Sequence, residues 1–377
     1  MNLELTETQK MIQDTARNFA KAELEPVAAK LDQQGDRETF LKNLRKLGEL
    51  GLMAINVKEQ YGGSEAGVIA FSLAVTEIGK ACASTGVTMS VNNMVCEVIQ
   101  AIGTEEQKKA YIPKIASGEY YAGGFGLTET MAGSDPSGMK TTAVLDGDSW
   151  VLNGSKIFIT SAEYAGVFVV WAVTDPKAPK GKGISTFLIE NGTKGFTIGR
   201  AEHKMGQHAS ATNELLFEDC RVPKTALMGK VNDGFRTAVG ELAGGRIGIG
   251  SLGLGIGQAA IEYATKYAMN RFQFDQPITN FQAIQWMIAE SYTELEAARL
   301  LLMNAAFKKE QGKFFAREAS MAKYYATEAA ERACHRAIQM LGGYGYTNEF
   351  PVERYARDVR ITSIYEGTNQ IQRLIIA

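Results

Sequence analysis

Histidine and cysteine are scarce in this chain, three and four respectively in 377 residues. Cys82, Cys96, Cys220 and Cys334 stand far apart with no CxxC pair, and with His203, His208 and His335 they offer too few clustered ligands for a zinc site. No metal is therefore expected, and scattered thiols of this kind suit a reducing compartment. No apolar run approaches the roughly 20 residues that span a bilayer. The start, MNLELTETQKMIQDTARNFA, lacks the basic and apolar regions of a signal peptide, so a cytoplasmic protein is expected. An excess of one charge is missing too. The 40 basic and 42 acidic residues give a net charge of −2, which argues against nucleic acid or a membrane surface as partner and leaves room for one small basic site.

What is present describes a folded protein. A hydrophobic share of 45% beside 22% charged residues is ordinary for a globular chain, and the length allows two or three domains with a large core. The first third reads as helical. Thr6 with Gln9, and Thr104 with Gln107, have capping-box spacing, and Met11, Ile12, Ala16, Phe19 and Ala20 recur at helical intervals until Pro26. The second of these capped helices is expected to end near Pro113. From residue 120 the pattern becomes β-rich: TTAVLDGDSWVLNGSKIFIT, VFVVWAVT, GISTFLIE, FTIGRAE and ELLFEDCRV. Turns are expected at Asp146-Gly147-Asp148 and at Asn153-Gly154. Such strands predict a small barrel or sandwich. From Asp233 onward four long helical segments, GFRTAVGELAGG, LGIGQAAIEYATKYAMNRF, FQAIQWMIAESYTELEAARLLLMNAAFKKEQ and FAREASMAKYYATEAAERACHRAIQMLGG, predict an antiparallel four-helix bundle. The expected class is thus α+β, with a helical domain over 1–119, a β domain over 120–230 and a helical bundle over 231–377. Gly248, Gly250 and Gly253 match G-x-G-x-x-G, but no strand precedes them and no βαβ unit surrounds them, so they read as helix-packing glycines and not as a dinucleotide loop.

Three segments, FGLTETMAGSD (125–135), KIFITSA (156–162) and IYEGTNQIQRLIIA (364–377), resemble the acyl-CoA dehydrogenase family in order and spacing. The α–β–α order agrees with that family's fold. CASTGV, DSWVLNGSK, FEDCRVPK, GRIGI and QMLGGYGY are most similar to its short-chain, butyryl-CoA branch. The resemblance implies an FAD-dependent α,β-dehydrogenation of a short acyl-CoA to the 2-enoyl-CoA. Glu366 would take the α-proton, flavin N5 the β-hydride, and an electron-transferring flavoprotein the electrons. It also implies a homotetramer. Read from the residues alone, a carboxylate beside Gly367, Ile364 and Tyr365 is open to desolvation, which raises its proton affinity toward that of a useful base; the plainer alternative is a cap or ion pair on a surface turn.

The same resemblance, residue by residue, implies flavin contacts at Phe125, Leu127, Thr128, Gly133 and Ser134, and at Phe158, Ile159 and Thr160. It implies contacts across a subunit interface at Arg271, Gln282, Gln339, Leu341, Gly342 and Gly343, and contacts to the adenine half at Thr368, Asn369 and Gln370. Backbone and hydroxyl donors suit phosphate oxygens, and Arg271 offers a fixed positive fork. For substrate it implies Ser134, Gly244, Tyr365, Gly367 and Arg246, the last near the nucleotide part of CoA and the first on the pantetheine chain. The chain departs from the family pattern at Thr130, where proline usually follows Thr-Glu, at Ala243, where an acidic residue is common, and at Asp275, where glycine is usual. Room at Ala243 and Gly244 leaves branched or cyclic acyl groups open. SVNNMVCEV carries no arginine, which disfavours a dicarboxylic substrate. An enoyl-CoA reductase, an acyl-CoA oxidase or flavin monooxygenase, and a non-catalytic acyl-CoA-binding subunit are the alternatives.

Overall fold

The structure, a computed structural model, describes residues 4–377; Met1–Leu3, where the segment read for a targeting signal begins, lie outside the described residues. Six helices come first: α1 (Glu7–Phe19), α2 (Ala28–Gln34), α3 (Arg37–Glu49), α4 (Gly67–Ala81), α5 (Ala83–Ile102) and α6 (Glu105–Ala116). Both capping boxes form. Thr6 Oγ1 accepts from Gln9 N at 3.2 Å while Gln9 Oε1 accepts from Thr6 N at 3.0 Å, and Thr104 and Gln107 repeat the exchange. α6 does not end at Pro113; it carries the proline inside its last turn and stops at Ala116, just before Gly118 turns left-handed at φ +77°.

Eight strands follow: β1 (Ala122–Gly126), β2 (Thr142–Asp146), β3 (Ser149–Thr160), β4 (Ala165–Val173), β5 (Ile184–Glu190), β6 (Phe196–Ala201), β7 (Thr212–Pro223) and β8 (Leu227–Met228). They form one sheet in the order β6-β7-β3-β2-β4-β5-β8, and β1 pairs in parallel along the edge of β4 that β2 meets only at its end. The hairpin at Gly147 forms as expected, but Asn153-Gly154 is not a turn. It is a bulge inside β3, because Asn153 is tied sideways to Asp219 on β7 and Gly154 lies against Thr141 too closely for a side chain.

The last segment contains α7 (Gly234–Asn270), α8 (Gln282–Glu310), α9 (Ala316–Leu341), α10 (Val352–Arg360) and α11 (Asn369–Ile376). Two of the four expected bundle helices are therefore one continuous helix of 37 residues. The glycines that made the sequence look interrupted are contact points. A Cβ on Gly248 would meet Ser90 Oγ at 2.2 Å, one on Gly255 the Thr76 carbonyl at 2.2 Å, and one on Gly257 the Ala330 backbone at 2.9 Å. α7 thus runs down the middle, with α4 and α5 against one side and α8 and α9 against the other, and the G-x-G-x-x-G run belongs to that packing. Gly255→Ala is expected to destabilise by about 1–3 kcal/mol through overpacking, despite alanine's better helix propensity. Thermal unfolding checks this. Among the described residues no helix is long and apolar enough to cross a membrane, and no group of three or more His, Cys, Asp or Glu is arranged to hold a metal ion.

Candidate active site

Glu366 occupies a two-residue left-handed turn between α10 and α11, at φ +54° with Gly367 at φ +87°. A non-glycine residue in this region costs of order 1 kcal/mol or more and persists only where its surroundings hold it. Buried donors grip the turn from below. Gln372 Nε2 donates to the carbonyls of Glu366 and Gly367 at 3.2 and 2.9 Å, and Lys323 Nζ donates to Gly367 O at 2.9 Å. Thr368 Oγ1 then caps α11 by accepting from Ile371 N at 3.3 Å, which fixes where the turn ends.

Held this way, the Glu366 side chain points into the protein. Its Oε2 lies where a Cβ on Gly245 of α7 would be 2.7 Å away, and Met94 Sδ of α5 flanks the same point at 2.9 Å. Oε2 is shut off from solvent and has no hydrogen-bond partner. Burial raises the carboxyl to about 7, against the opposing pull of Arg246 and Lys323. The surface cap or ion pair is thereby excluded: this is a desolvated carboxylate oxygen packed beside Gly245.

Arg246, expected near the nucleotide part of CoA, lies within the fold. It is 5% exposed between α7 and α9, its Nη1 donates to Ser320 Oγ at 3.4 Å, and its Nε has no partner. Its charge acts on Glu366. The Asn369 side chain, expected toward the adenine half, turns inward, accepting from Lys323 Nζ at 3.0 Å and donating to Thr327 Oγ1 at 3.0 Å. Tyr365 OH accepts from Gln207 Nε2 at 3.3 Å, and that same amide donates to the Asp358 carbonyl, so the loop before β7 braces the Glu366 turn. Gly244 faces Lys309 Nζ, which pairs with Glu97.

The expected flavin segments come together on the sheet. Phe125 lies near the end of β1, and the bulge in β3 between Lys156 and Ile159 turns Phe158 outward, left-handed at φ +60° and 60% exposed, while Ile159 stays inside. Thr128 O accepts from Ile157 N at 2.9 Å, stapling one segment to the other. A buried ion pair not foreseen from the sequence holds both: Lys156 Nζ reaches Glu129 Oε1 at 2.8 Å and Leu127 O at 3.3 Å, and Glu129 also accepts from Thr141 N at 3.0 Å. Burial pushes Lys156 down to about 8 against the attraction of Glu129. Gly133 and Ser134 lie in the exposed part of the loop. A separate open cleft of about 520 Å³ gathers Arg271, Gln339, Leu341, Gly342 and Gly343 with Tyr344. Gly342 and Gly343 have open space on the Cβ side, so donors there could approach a flat or anionic group closely. Gln282, the first residue of α8, lies outside that lining, and Thr368 and Gln370 flank the turn on the other side of Glu366.

The arrangement is that of a buried carboxylate oxygen beside Gly245, with the outward Phe158 and its neighbours on the sheet. Family models for the acyl-CoA dehydrogenase N-terminal, middle and C-terminal domains match residues 6–119, 124–220 and 232–377. The chain belongs to the acyl-CoA dehydrogenase family and is an oxidoreductase. It is 48% identical over its full length to the short-chain specific acyl-CoA dehydrogenase of Rattus norvegicus mitochondria, covering 90% of that protein. It is 44% identical to the acryloyl-CoA reductase (NADH) of Anaerotignum propionicum, covering 95%. Butyryl-CoA dehydrogenase from Megasphaera elsdenii superposes at a TM-score of 0.96 with 40% identity, spanning 100% of this chain and 98% of that one. A chain solved in work on the electron transferring flavoprotein of Acidaminococcus fermentans superposes at 0.97 with 46% identity and the same coverage.

Proposed function

We propose that this protein oxidises a short, butyryl-like acyl-CoA to its 2-enoyl-CoA, with Glu366 as the base that removes the α-proton. The observation that carries this reading is the buried, unpartnered Glu366 Oε2, held near neutrality at the lip of Gly245. A thioester α-proton is weakly acidic, so the base must be ionised at working pH and yet keep a high proton affinity, which burial supplies. The enolate oxygen that develops needs a donor. Ile364 N and Tyr365 N both donate to Ile361 O, and the next N–H, that of Glu366, is the one assigned to the thioester carbonyl. Ser134, Gly244, Tyr365 and Gly367 line the substrate path.

FAD, when bound, supplies the two-electron acceptor for the hydride that leaves Cβ. The residues present suit it: Phe125, Leu127, Thr128, Gly133, Ser134, Phe158, Ile159 and Thr160 would hold the ring and pyrophosphate. Arg271, Gln339, Leu341, Gly342 and Gly343 would meet the FAD of a second copy, with Gln282 nearby and Thr368 and Gln370 toward the adenine half. The outward Phe158 and the open glycines at 342 and 343 support that fit. Electron delivery to an electron-transferring flavoprotein is supported by the Acidaminococcus relative, and a homotetramer is what the family resemblance implies, with the open cleft accessible to a second copy. The short acyl group is supported by the short-chain and butyryl-CoA relatives. A second reading, reduction of an enoyl-CoA at the same site, is supported by the acryloyl-CoA reductase relative.

An anaerobic screen of the FAD-loaded protein tests the substrate. Butyryl-CoA is expected to bleach the flavin faster than isovaleryl-, cyclohexanoyl- or octanoyl-CoA. A faster branched or cyclic substrate would overturn the butyryl assignment, and no bleaching by any would overturn the dehydrogenase reading.

A further inference from the structure

Lys323 is a charged side chain with no exposure at all, on a stripe of α9 otherwise made of Ala319, Ala322, Ala326 and Ala330. Removing an ammonium from water costs several kcal/mol unless its surroundings compensate, and a methionine of similar length would fill the same space without that cost. Its hydrogen bonds go to two neutral oxygens, Gly367 O at 2.9 Å and Asn369 Oδ1 at 3.0 Å, which lie on either side of Thr368, just past the Glu366 turn. No carboxylate among the described residues forms an ion pair with it. The charges that act on it are those of Glu366, of Arg246 from α7, and of Glu331 and Glu328 on its own helix. Glu366 in turn is faced by Arg246 and Lys323; Met94 and Gly245, the groups that α5 and α7 press against its carboxylate, carry no charge. A buried cation is therefore bonded to the backbone of the turn and acts electrostatically on the carboxylate that the turn presents.

We propose that Lys323 is the positioning residue of the catalytic turn: its two hydrogen bonds lock the left-handed Glu366–Gly367 pair, and its positive charge keeps Glu366 ionised for proton removal. The proposal rests on Glu366 as base. The two contributions separate chemically. The hydrogen bonds fix where the carboxylate points, and loss of them misplaces the base, for which an ångström is worth about a hundredfold in rate. The charge favours the carboxylate over the carboxylic acid, and its loss raises the proton affinity of Glu366, so the ionised fraction at a given pH falls. Burial already lowers the Lys323 ammonium to about 7, so the charge is itself sensitive to what surrounds it.

Two variants isolate the charge. Lys323→Gln keeps an amide donor for Gly367 O and loses the cation. Asn369→Asp keeps the side-chain shape and the oxygen facing Lys323 but sets a carboxylate against the ammonium. For each, the pH profile of anaerobic flavin reduction by butyryl-CoA is measured alongside flavin content and KM. Both are expected to shift the acid limb upward by about one pH unit, a loss of about tenfold at pH values below it, with KM changed less than twofold. Lys323→Arg, which retains the charge, is expected to return the limb toward the wild-type position. A folded, flavin-bound Lys323→Gln or Asn369→Asp protein with the wild-type profile would overturn the proposal, and because Asn369→Asp is isosteric it carries the test if Lys323→Gln does not fold. Glu366→Gln is run in parallel: if that variant turns over normally, the base assignment has failed and the Lys323 proposal falls with it, whereas an inactive Glu366→Gln beside an unshifted Lys323→Gln profile overturns the Lys323 proposal alone.

Discussion

Glu366→Gln is expected to lower the rate of flavin reduction by an acyl-CoA by at least about 10²–10⁴-fold, the range that a positioned general base contributes. The substitution changes one oxygen for an amide nitrogen, so the left-handed turn, its grip by Gln372 and Lys323, and the flavin platform on the sheet remain as they are. Bound FAD and acyl-CoA affinity should therefore survive while proton removal does not. The amide removes the desolvation cost of the carboxylate but leaves Arg246 and Lys323 without their counter-charge, so thermal stability is expected to be unchanged or slightly lowered. Activity lost together with flavin would point to a structural role; activity retained would move the base elsewhere.

Gly245→Ala is expected to cost about tenfold to a hundredfold in the same rate, with a much smaller effect on stability. Most glycines of α7 meet backbone or core atoms that cannot yield, as Gly255 does at Thr76. At Gly245 the new methyl would instead meet the far ends of two flexible side chains, Glu366 Oε2 at 2.7 Å and Met94 Sδ at 2.9 Å. Both can move aside cheaply. The one that moves is the base, and displacement of a reacting group by about an ångström is enough for a hundredfold loss. The paired outcome, a stable protein with misplaced chemistry at Gly245 and a destabilised one at Gly255, separates the catalytic glycine from the packing glycines of the same helix. Stopped-flow reduction and thermal unfolding of both variants read it.

The sequence made some of this legible because the signals were local. Capping boxes depend on residues three apart, and both form; the β-rich run from residue 120 does become one sheet; YEG near the chain end does present a desolvated carboxylate. What failed depends on distant partners. The glycines of G-x-G-x-x-G do pack as expected, but the split into two helices around them fails: α7 runs unbroken, with Ser90, Thr76 and Ala330 directly on Gly248, Gly255 and Gly257. Asn153-Gly154 has turn composition, yet cross-strand bonds to Asp219 make it a bulge. The burial of Arg246 in the α7–α9 seam and the hold of Lys323 and Thr327 on the Asn369 side chain likewise depend on partners far away in sequence. Lys323 and the Lys156–Glu129 pair were missed altogether. For Lys323 a signal existed: a lysine at the buried phase of an alanine stripe is out of place on a helix and marks a buried charge with work to do.

The central claim is that a shielded carboxylate with a proton affinity near neutrality takes the α-proton. Its most direct test is the pH dependence of the second-order rate constant for anaerobic flavin reduction by butyryl-CoA, a quantity that reports ionisations of the free enzyme. Because Glu366 must be deprotonated to act and burial raises it to about 7, the rate constant is predicted to fall tenfold per pH unit below that value and to level off above it. A profile flat down to pH 5, with reduction still rapid there, would contradict the account.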